Sequence, residues 1–226
     1  MQFYPIEHHS WVAIDIHHNL GEQATLLTHK IRLTHKAAST NKAASAYKTG
    51  SMYCRQLLKK LQQALNLTGE LMDANFPYHF ITADGYTWYV SFSHSRQHAA
   101  VLISPYTNIG VDVEDSAISH QVASRFFSPH EYQWLNQKPA VNQVILRNLL
   151  WRLKECAIKT HQNVDKQLIK ELKHDVLDEL GEEVINQLIG IDEINAKDKP
   201  IQCVQTDAKI VGNFSSKPCS FIIVNR

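Results

Sequence analysis

The chain lacks several features that most often reveal a function. None of its four cysteines, Cys54, Cys156, Cys203 and Cys219, stands in a C-x-x-C spacing, so the usual zinc and dithiol-redox signatures are missing. His8-His9 and His17-His18 have neither an H-E-x-x-H arrangement nor cysteine neighbours, which leaves zinc without a ligand set. There is no Walker A loop and no G-x-G-x-x-G, the two common glycine-rich phosphate cradles. No run of about eighteen apolar residues occurs, so no membrane span is expected. The first residues, Met1-Gln2-Phe3-Tyr4-Pro5-Ile6-Glu7-His8, lack a basic start followed by an apolar stretch, and no secretory signal is expected. Reduced thiols in a cytoplasmic protein are the corresponding expectation. A net charge of +1 and no recognised nucleic-acid motif argue against nucleic acid as a partner.

What is present is ordinary globular material. At 226 residues the chain can bury a sizeable core, as one large or two small domains. Charge is uneven along it. Residues 30–60 hold Lys30, Arg32, Lys36, Lys42, Lys48, Arg55, Lys59 and Lys60 and no acid, whereas acids outnumber bases over 165–198. Such a basic stretch is either a solvated helix face or a surface for phosphates or an acidic protein.

Periodicity sets the order of elements. Strands are expected at 11–16, 88–93, 99–104 and 109–114, and again at 201–205, 209–214 and 221–224. Helices are expected at 43–65, 116–126, 129–136, 141–160 and 166–180. In the first helix Tyr47, Cys54, Leu57, Leu58, Leu61 and Leu65 form the apolar side. Ser128-Pro129-His130-Glu131 reads as a capping box with proline at the first helical position, which gives Glu131 a structural task. Gly181 is a plausible helix stop. The fold class is α+β.

Two segments carry chemistry. In Gly110-Val111-Asp112-Val113-Glu114, period-two alternation puts both carboxylates on one face and the valines on the other. Neighbouring bare carboxylates repel, and a hard divalent cation relieves them. Alone, the motif also fits a solvent-facing acidic strand. In Trp151-Arg152-Leu153-Lys154-Glu155-Cys156-Ala157-Ile158-Lys159, helical spacing places Trp151, Glu155 and Lys159 on one stripe, with Lys154 on its flank. Alone, this fits an exposed Glu–Lys pair worth about 0.2–0.5 kcal/mol.

Taken with Ser93-His94-Ser95 upstream and Phe127 to Glu131 between them, the two segments form an ordered set. Over about 75–159 the chain resembles the Sfp-type 4′-phosphopantetheinyl transferases, through S-H-S, G-[IV]-D-x-E, F-[FS]-x-x-E and W-x-x-K-E-x-x-x-K. The resemblance implies transfer of the phosphopantetheine arm of coenzyme A to a serine of an acyl or peptidyl carrier protein, with release of adenosine 3′,5′-bisphosphate. It implies Mg²⁺ held by Asp112, Glu114 and Glu155. Ser93, His94, Lys154 and Lys159 would contact coenzyme A, and Glu155 and Lys159 would be catalytic, Glu155 as the base, directly or through a metal-bound water. It further implies two similar α/β halves, 1–115 and 116–226, related by a pseudo-twofold axis with the site between them, in a monomer. Carrier proteins of such systems are typically acidic, which suits the 30–60 stretch.

The chain departs from that pattern in two places. A G-[KR]-P stretch before S-H-S is replaced by Asn75-Phe76-Pro77-Tyr78, and Thr160-His161-Gln162-Asn163-Val164 stands where G-x-G-L is usual. Two further readings therefore stand beside the first: another magnesium-dependent phosphotransfer, and a degenerate homologue that binds a carrier protein or nucleotide without turnover.

Overall fold

A computed structural model describes residues 1–6, 10–16, 42–161, 175–190, 201–214 and 217–224. Their elements, in chain order, are β1 (Gln2–Ile6), β2 (Ser10–Ile16), α1 (Lys42–Ala64), β3 (His79–Ile81), β4 (Thr87–His94), β5 (His98–Ser104), β6 (Asn108–Val113), α2 (His120–Phe126), α3 (Pro129–Asn136), α4 (Ala140–Thr160), α5 (Val176–Leu180), α6 (Glu182–Gly190), β7 (Ile201–Gln205), β8 (Lys209–Phe214) and β9 (Cys219–Val224). The strands form two antiparallel sheets, ordered β1-β2-β5-β4-β3 and β6-β9-β8-β7. This is the expected α+β class.

Each sheet is closed by one long helix. From Cys54 onward the predicted apolar side of α1 is buried as expected: Cys54, Leu57, Leu58 and Leu61 pack with Ala13, Val90, Val101 and Ile103 of the first sheet, and Leu65 packs at the edge; the side chain of Tyr47 lies outside the described residues. Helix α4 buries Leu146, Leu149, Leu150, Leu153 and Ala157 with Val211 and Ile222 of the second sheet and with α5 and α6. A third cluster joins the sheets: Tyr4, Ile14 and Leu102 from the first meet Val111, Ile210, Phe214 and Phe221 from the second.

Three elements lie outside the sequence expectation. Strand β1 pairs with β2 from Gln2↔Ile14 to Ile6↔Ser10, and β3 pairs with β4 through His79↔Tyr89. Both are short strands whose partners decide them. Helix α6 follows Gly181, which takes φ +86° and ends α5 by donating its N–H to the Leu177 carbonyl at 2.8 Å. Most of the helix expected over 166–180 lies outside the described residues, as do Lys30, Arg32, Lys36, His8-His9 and His17-His18.

Strand β6 decides where the site forms. It lies before Asp115 in sequence, yet pairs with β9, from Asn108↔Val224 to Val113↔Cys219. Gly110 explains how closely α4 crosses it, since a Cβ there would overlap the carbonyl group of Cys156. Only glycine lets the helix backbone lie on the strand backbone. That approach brings Glu155 and Lys159 beside Asp112.

Candidate functional site

The two sheets are sewn together at β4 and β6 by side chains. Ser91 Oγ accepts the Val111 N–H at 3.1 Å, and Ser93 Oγ accepts the Val113 N–H at 3.2 Å. Ser93 Oγ also donates to Asp112 Oδ1 at 2.8 Å. From α4, Lys159 Nζ donates to the Val111 carbonyl at 2.7 Å and to Asp112 Oδ1 at 3.0 Å. Asp112 is thus held from both sides, and it is buried rather than solvent-facing, with 7% of its surface exposed. That excludes the solvated-strand reading of the motif.

Glu114 and Glu155 complete the predicted carboxylate set. Glu114 sits just past β6, its backbone N–H donating to the Pro218 carbonyl at 3.0 Å and its Oε1 accepting the Ser116 N–H at 2.8 Å. Glu155 is half-buried on α4. Its pKa is raised above the usual carboxylate range, first by burial and then by the charge of Asp112, with a smaller contribution from Glu114. Burial opposes the charge of Lys159, but Asp112, Cys156 and Glu155 together outweigh it, and the pKa of Lys159 is raised. Glu155 and Lys159 thus each feel Asp112 directly. The three carboxylates do not converge on a point: among the described residues, the ligand atoms lying within 4.8 Å of one another are those of His130, Asp175 and Asp178.

That second group is occupied by structure. Asp175 caps α5 by accepting the Asp178 N–H at 3.0 Å, and it also accepts from Ser128 Oγ. His130 Nδ1 lies 3.3 Å from Asp175 Oδ2 and 3.2 Å from Asp178 Oδ1. The cluster ties the start of α3 to α5.

Lys159 and Ser93 line a cavity of about 350 Å³, enclosed by Ser51, Cys54 and Arg55 of α1, Phe76 and Tyr78 before β3, and Val90 to His94 of β4. The aromatic rings form a connected wall: Phe76 and Tyr78 meet edge-on at 5.6 Å, and Tyr78 and Phe92 are 6.1 Å apart. Arg55 lies 5.8 Å over the Phe92 ring and pairs with Asp73, Nη2 to Oδ2, at 2.6 Å. His94 is half-buried at the edge of this space, and its pKa is lowered by burial and then by Lys159. Gly50 of α1 makes room for it, because a Cβ there would stand 2.6 Å from His94 Nδ1. Cys54 donates its Sγ to the Ser93 carbonyl at 3.3 Å, and burial pushes its thiol up to about 12, which makes it an inert wall residue.

The turn after β4 is anchored separately. Asp115 accepts from Ser95 Oγ and from the Gln97 N–H, both at 2.5 Å, and pairs with His98 Nδ1. This fastens the S-H-S segment to the loop that follows Glu114.

Of the residues expected from sequence, the structure brings together Ser93, His94, Asp112, Glu155 and Lys159, with Glu114 on the rim. It places Lys154 elsewhere. The ammonium of Lys154 forms an ion pair with Glu131 Oε2 at 2.9 Å, and the two side chains are 5% and 0% exposed. Helix geometry accounts for this: Lys154 lies about 100° round the axis from Glu155, on the side facing α3. Glu131 closes the expected capping box with Ser128 and also accepts the Val176 N–H at 2.8 Å. The thiol of Cys156 is likewise structural: it is fully buried and donates to the Ser220 carbonyl at 3.2 Å.

Sequence reasoning missed Arg55 as a cavity residue, along with Phe92 and Asp115. The signals were present in part, since Arg55 belongs to the acid-free run and Phe76-Pro77-Tyr78 replaces G-[KR]-P. No helix among the described residues is long and apolar enough to cross a membrane. No curated protein matches the chain. Residues 108–200, which begin at β6 and carry Asp112, Glu114, Glu155 and Lys159, match the family model of the 4′-phosphopantetheinyl transferase superfamily.

Proposed function

We propose that the protein transfers the 4′-phosphopantetheine arm of coenzyme A to a serine of an acyl or peptidyl carrier protein and releases adenosine 3′,5′-bisphosphate. The observation that carries this reading is the convergence of Ser93 and Lys159 on Asp112 at the wall of the cavity, with Asp112 and Lys159 inside the segment that matches the superfamily. The Sfp-type pattern, two halves at 1–115 and 116–226 with pseudo-twofold symmetry, and a cytoplasmic monomer go with it.

The cavity suits the nucleotide end of coenzyme A. Phe76, Tyr78 and Phe92 offer aromatic faces, and Arg55 supplies the cation that the missing G-[KR]-P would have brought. Asp73 and Ser51 hold the Arg55 guanidinium at the cavity wall, while His94 and Lys159 border the same space. Lys154, held by Glu131, has the structural role of joining α4 to α3.

Asp112, Glu114 and Glu155 are the residues that would hold Mg²⁺. They offer the oxygen donors that a hard cation takes, their ligand atoms do not all lie within 4.8 Å of one another, and the pKa of Glu155 is raised by burial and then by the charge of Asp112. When bound, such an ion neutralises charge on the pyrophosphate oxygens. The chain's own residues do the rest. Lys159, fixed by the Val111 carbonyl, holds a positive charge beside the pyrophosphate without rearrangement. Glu155, on α4 beside Asp112, would take the proton of the acceptor hydroxyl. The serine oxygen then bonds to the phosphorus bearing the pantetheine arm, the bridging P–O bond breaks, and the electron pair leaves with the adenosine bisphosphate.

A second reading, binding without turnover, draws on the missing G-[KR]-P and G-x-G-L. One experiment separates them. The protein is mixed with coenzyme A, Mg²⁺ and a panel of apo carrier proteins, and carrier mass is measured. Gain of one phosphopantetheine arm is expected, with loss of labelling in Asp112→Ala, Glu114→Ala and Glu155→Ala. Binding with no mass change favours the second reading, and labelling that survives all three substitutions overturns the first.

A further inference from the structure

Strands β4 and β6 belong to different sheets, so no backbone ladder joins them. Serines take its place. Ser91 and Ser93 of β4, and Ser95 just after it, alternate along the chain and share one face. Each bonds to the residue 20 positions later: Ser91 Oγ accepts the Val111 N–H, Ser93 Oγ accepts the Val113 N–H, and Ser95 Oγ donates to Asp115 Oδ2. The first two rungs use backbone N–H groups, which every residue but proline supplies. The third uses a side chain, so it depends on what stands at 115.

Asp115 closes more than that one bond. Its Oδ2 also accepts the Gln97 N–H at 2.5 Å, and its Oδ1 pairs with His98 Nδ1. Ser95 Oγ in turn accepts the His98 N–H at 3.3 Å, and the Ser95 N–H donates to the His98 carbonyl at 2.8 Å. One carboxylate thus grips both sides of the turn from β4 to β5. The His98 and Asp115 side chains are 12% and 11% exposed, so solvent screens their pairing little. The last two rungs bracket the site. His94 lies between Ser93 and Ser95, and Glu114 lies between Val113 and Asp115. His94 borders the cavity, and Glu114 is one of the three carboxylates beside it. With the third rung gone, both would stand beyond the last serine that ties β4 to β6.

We propose that Asp115 is a positioning residue for transfer: through Ser95, Gln97 and His98 it holds His94, on the nucleotide side, in register with Glu114, on the metal side. The inference rests on the transfer reading above, which gives His94 to coenzyme A and Glu114 to the cation. Asp115 acts through those two residues and fixes the spacing between them. Groups that orient a metal ligand or a substrate contact from behind change affinity when removed, although they touch neither ligand.

The test uses the full chain. Asp115→Ala and Asp115→Asn are compared with the parent by calorimetry of coenzyme A, by electron paramagnetic resonance of Mn²⁺ with coenzyme A present, and by steady-state labelling of the apo carrier that the parent labels best. In Asp115→Ala the affinities for coenzyme A and Mn²⁺ should each weaken about tenfold, and the KM for coenzyme A should rise with them while the carrier KM stays within about twofold. Asp115→Asn keeps an acceptor for the Gln97 N–H and should fall between. His98→Ala should weaken the same two affinities, and the double variant with Asp115→Ala should be no worse than Asp115→Ala, since both substitutions break one clamp. Melting curves separate positioning from folding. A lowered melting temperature with both affinities unchanged overturns the proposal and leaves the transfer reading standing. Losses that multiply in the double variant overturn the clamp. A parent that labels no carrier of the panel and binds no coenzyme A overturns both readings. Should Asp115→Ala fail to fold, Asp115→Asn and His98→Ala decide the matter by the same readouts.

Discussion

Helix α4 carries two lysines five residues apart, and each pairs with a carboxylate at nearly the same distance. Lys154 and Glu131 lie 2.9 Å apart with side chains 5% and 0% exposed, whereas Lys159 and Asp112 lie 3.0 Å apart at 18% and 10%. The first pair is sealed. Around it stand the Phe127 ring and the capped ends of α3 and α5, and Glu131 has its remaining acceptors filled by backbone N–H groups. The second pair opens on a cavity that Lys159, Ser93, His94 and Arg55 all line. Similar ion pairs thus serve different ends. A charge pair closed off from solvent and from ligand has only the fold to serve, and one at the wall of a cavity can turn its charge on a substrate.

Breaking the sealed pair carries the largest expected effect. Glu131→Ala leaves a buried ammonium without its counter-charge and two backbone N–H groups without an acceptor, so a loss of about 3–5 kcal/mol is expected, read by urea denaturation. Transfer per folded molecule should change little. A drop in specific activity larger than the loss of folded protein would mean that Lys154 touches the substrate after all.

The open pair should behave in the opposite way. Asp112→Asn keeps the shape and removes the charge, so carrier labelling should fall about 100–1,000-fold, while the denaturation midpoint moves far less than in Glu131→Ala. Comparable destabilisation in the two variants would erase the distinction between the pairs.

The glycines sharpen it further. Gly110→Ala sets a Cβ against the Cys156 carbonyl and should cost about 1–3 kcal/mol by overpacking, with labelling lost because α4 shifts away from Asp112. Gly50→Ala pushes against the His94 ring. Alanine favours the helix by about 1 kcal/mol, so stability should hold, while the KM for coenzyme A rises about tenfold. An unaltered KM would separate His94 from nucleotide binding.

The smallest effect concerns the surface cluster beside the sealed pair. Desolvation opposes the charge of His130, but Asp175 and then Asp178 outweigh it, and its pKa is raised. The sign follows: the contact stabilises below the unfolded value of about 6.5, and that contribution is lost as pH rises through the higher folded value. NMR titration should show a His130 midpoint above that of a free imidazole, falling in Asp178→Asn. A midpoint insensitive to Asp178 would detach α5 from this cluster.

Much of this was legible in the chain, for local reasons. Alternation in Gly110 to Glu114 put Asp112 and Glu114 on one side, and helical spacing put Glu155 and Lys159 on one stripe. The Ser128 capping box marked the start of α3, and the apolar side of α1 was readable because its burial repeats every three or four residues. The gaps are non-local. Strands β1 and β3 exist because β2 and β4 pair with them. Arg55 reaches the cavity because α1 packs across β4, and nothing within the helix announces that neighbour.

The sequence by itself determined the chemistry available: three carboxylates and two lysines at periods that strands and helices translate into faces. Those periods are properties of the backbone and hold before any packing. Only the tertiary structure decided which charges meet. It turned Lys154 toward α3 and Glu131, and it joined Lys159 to Asp112 through the close crossing at Gly110. It also bound β4 to β6 through Ser91 and Ser93. Each of these outcomes depends on distant segments sharing one volume, and the partner of a charge is set by that arrangement.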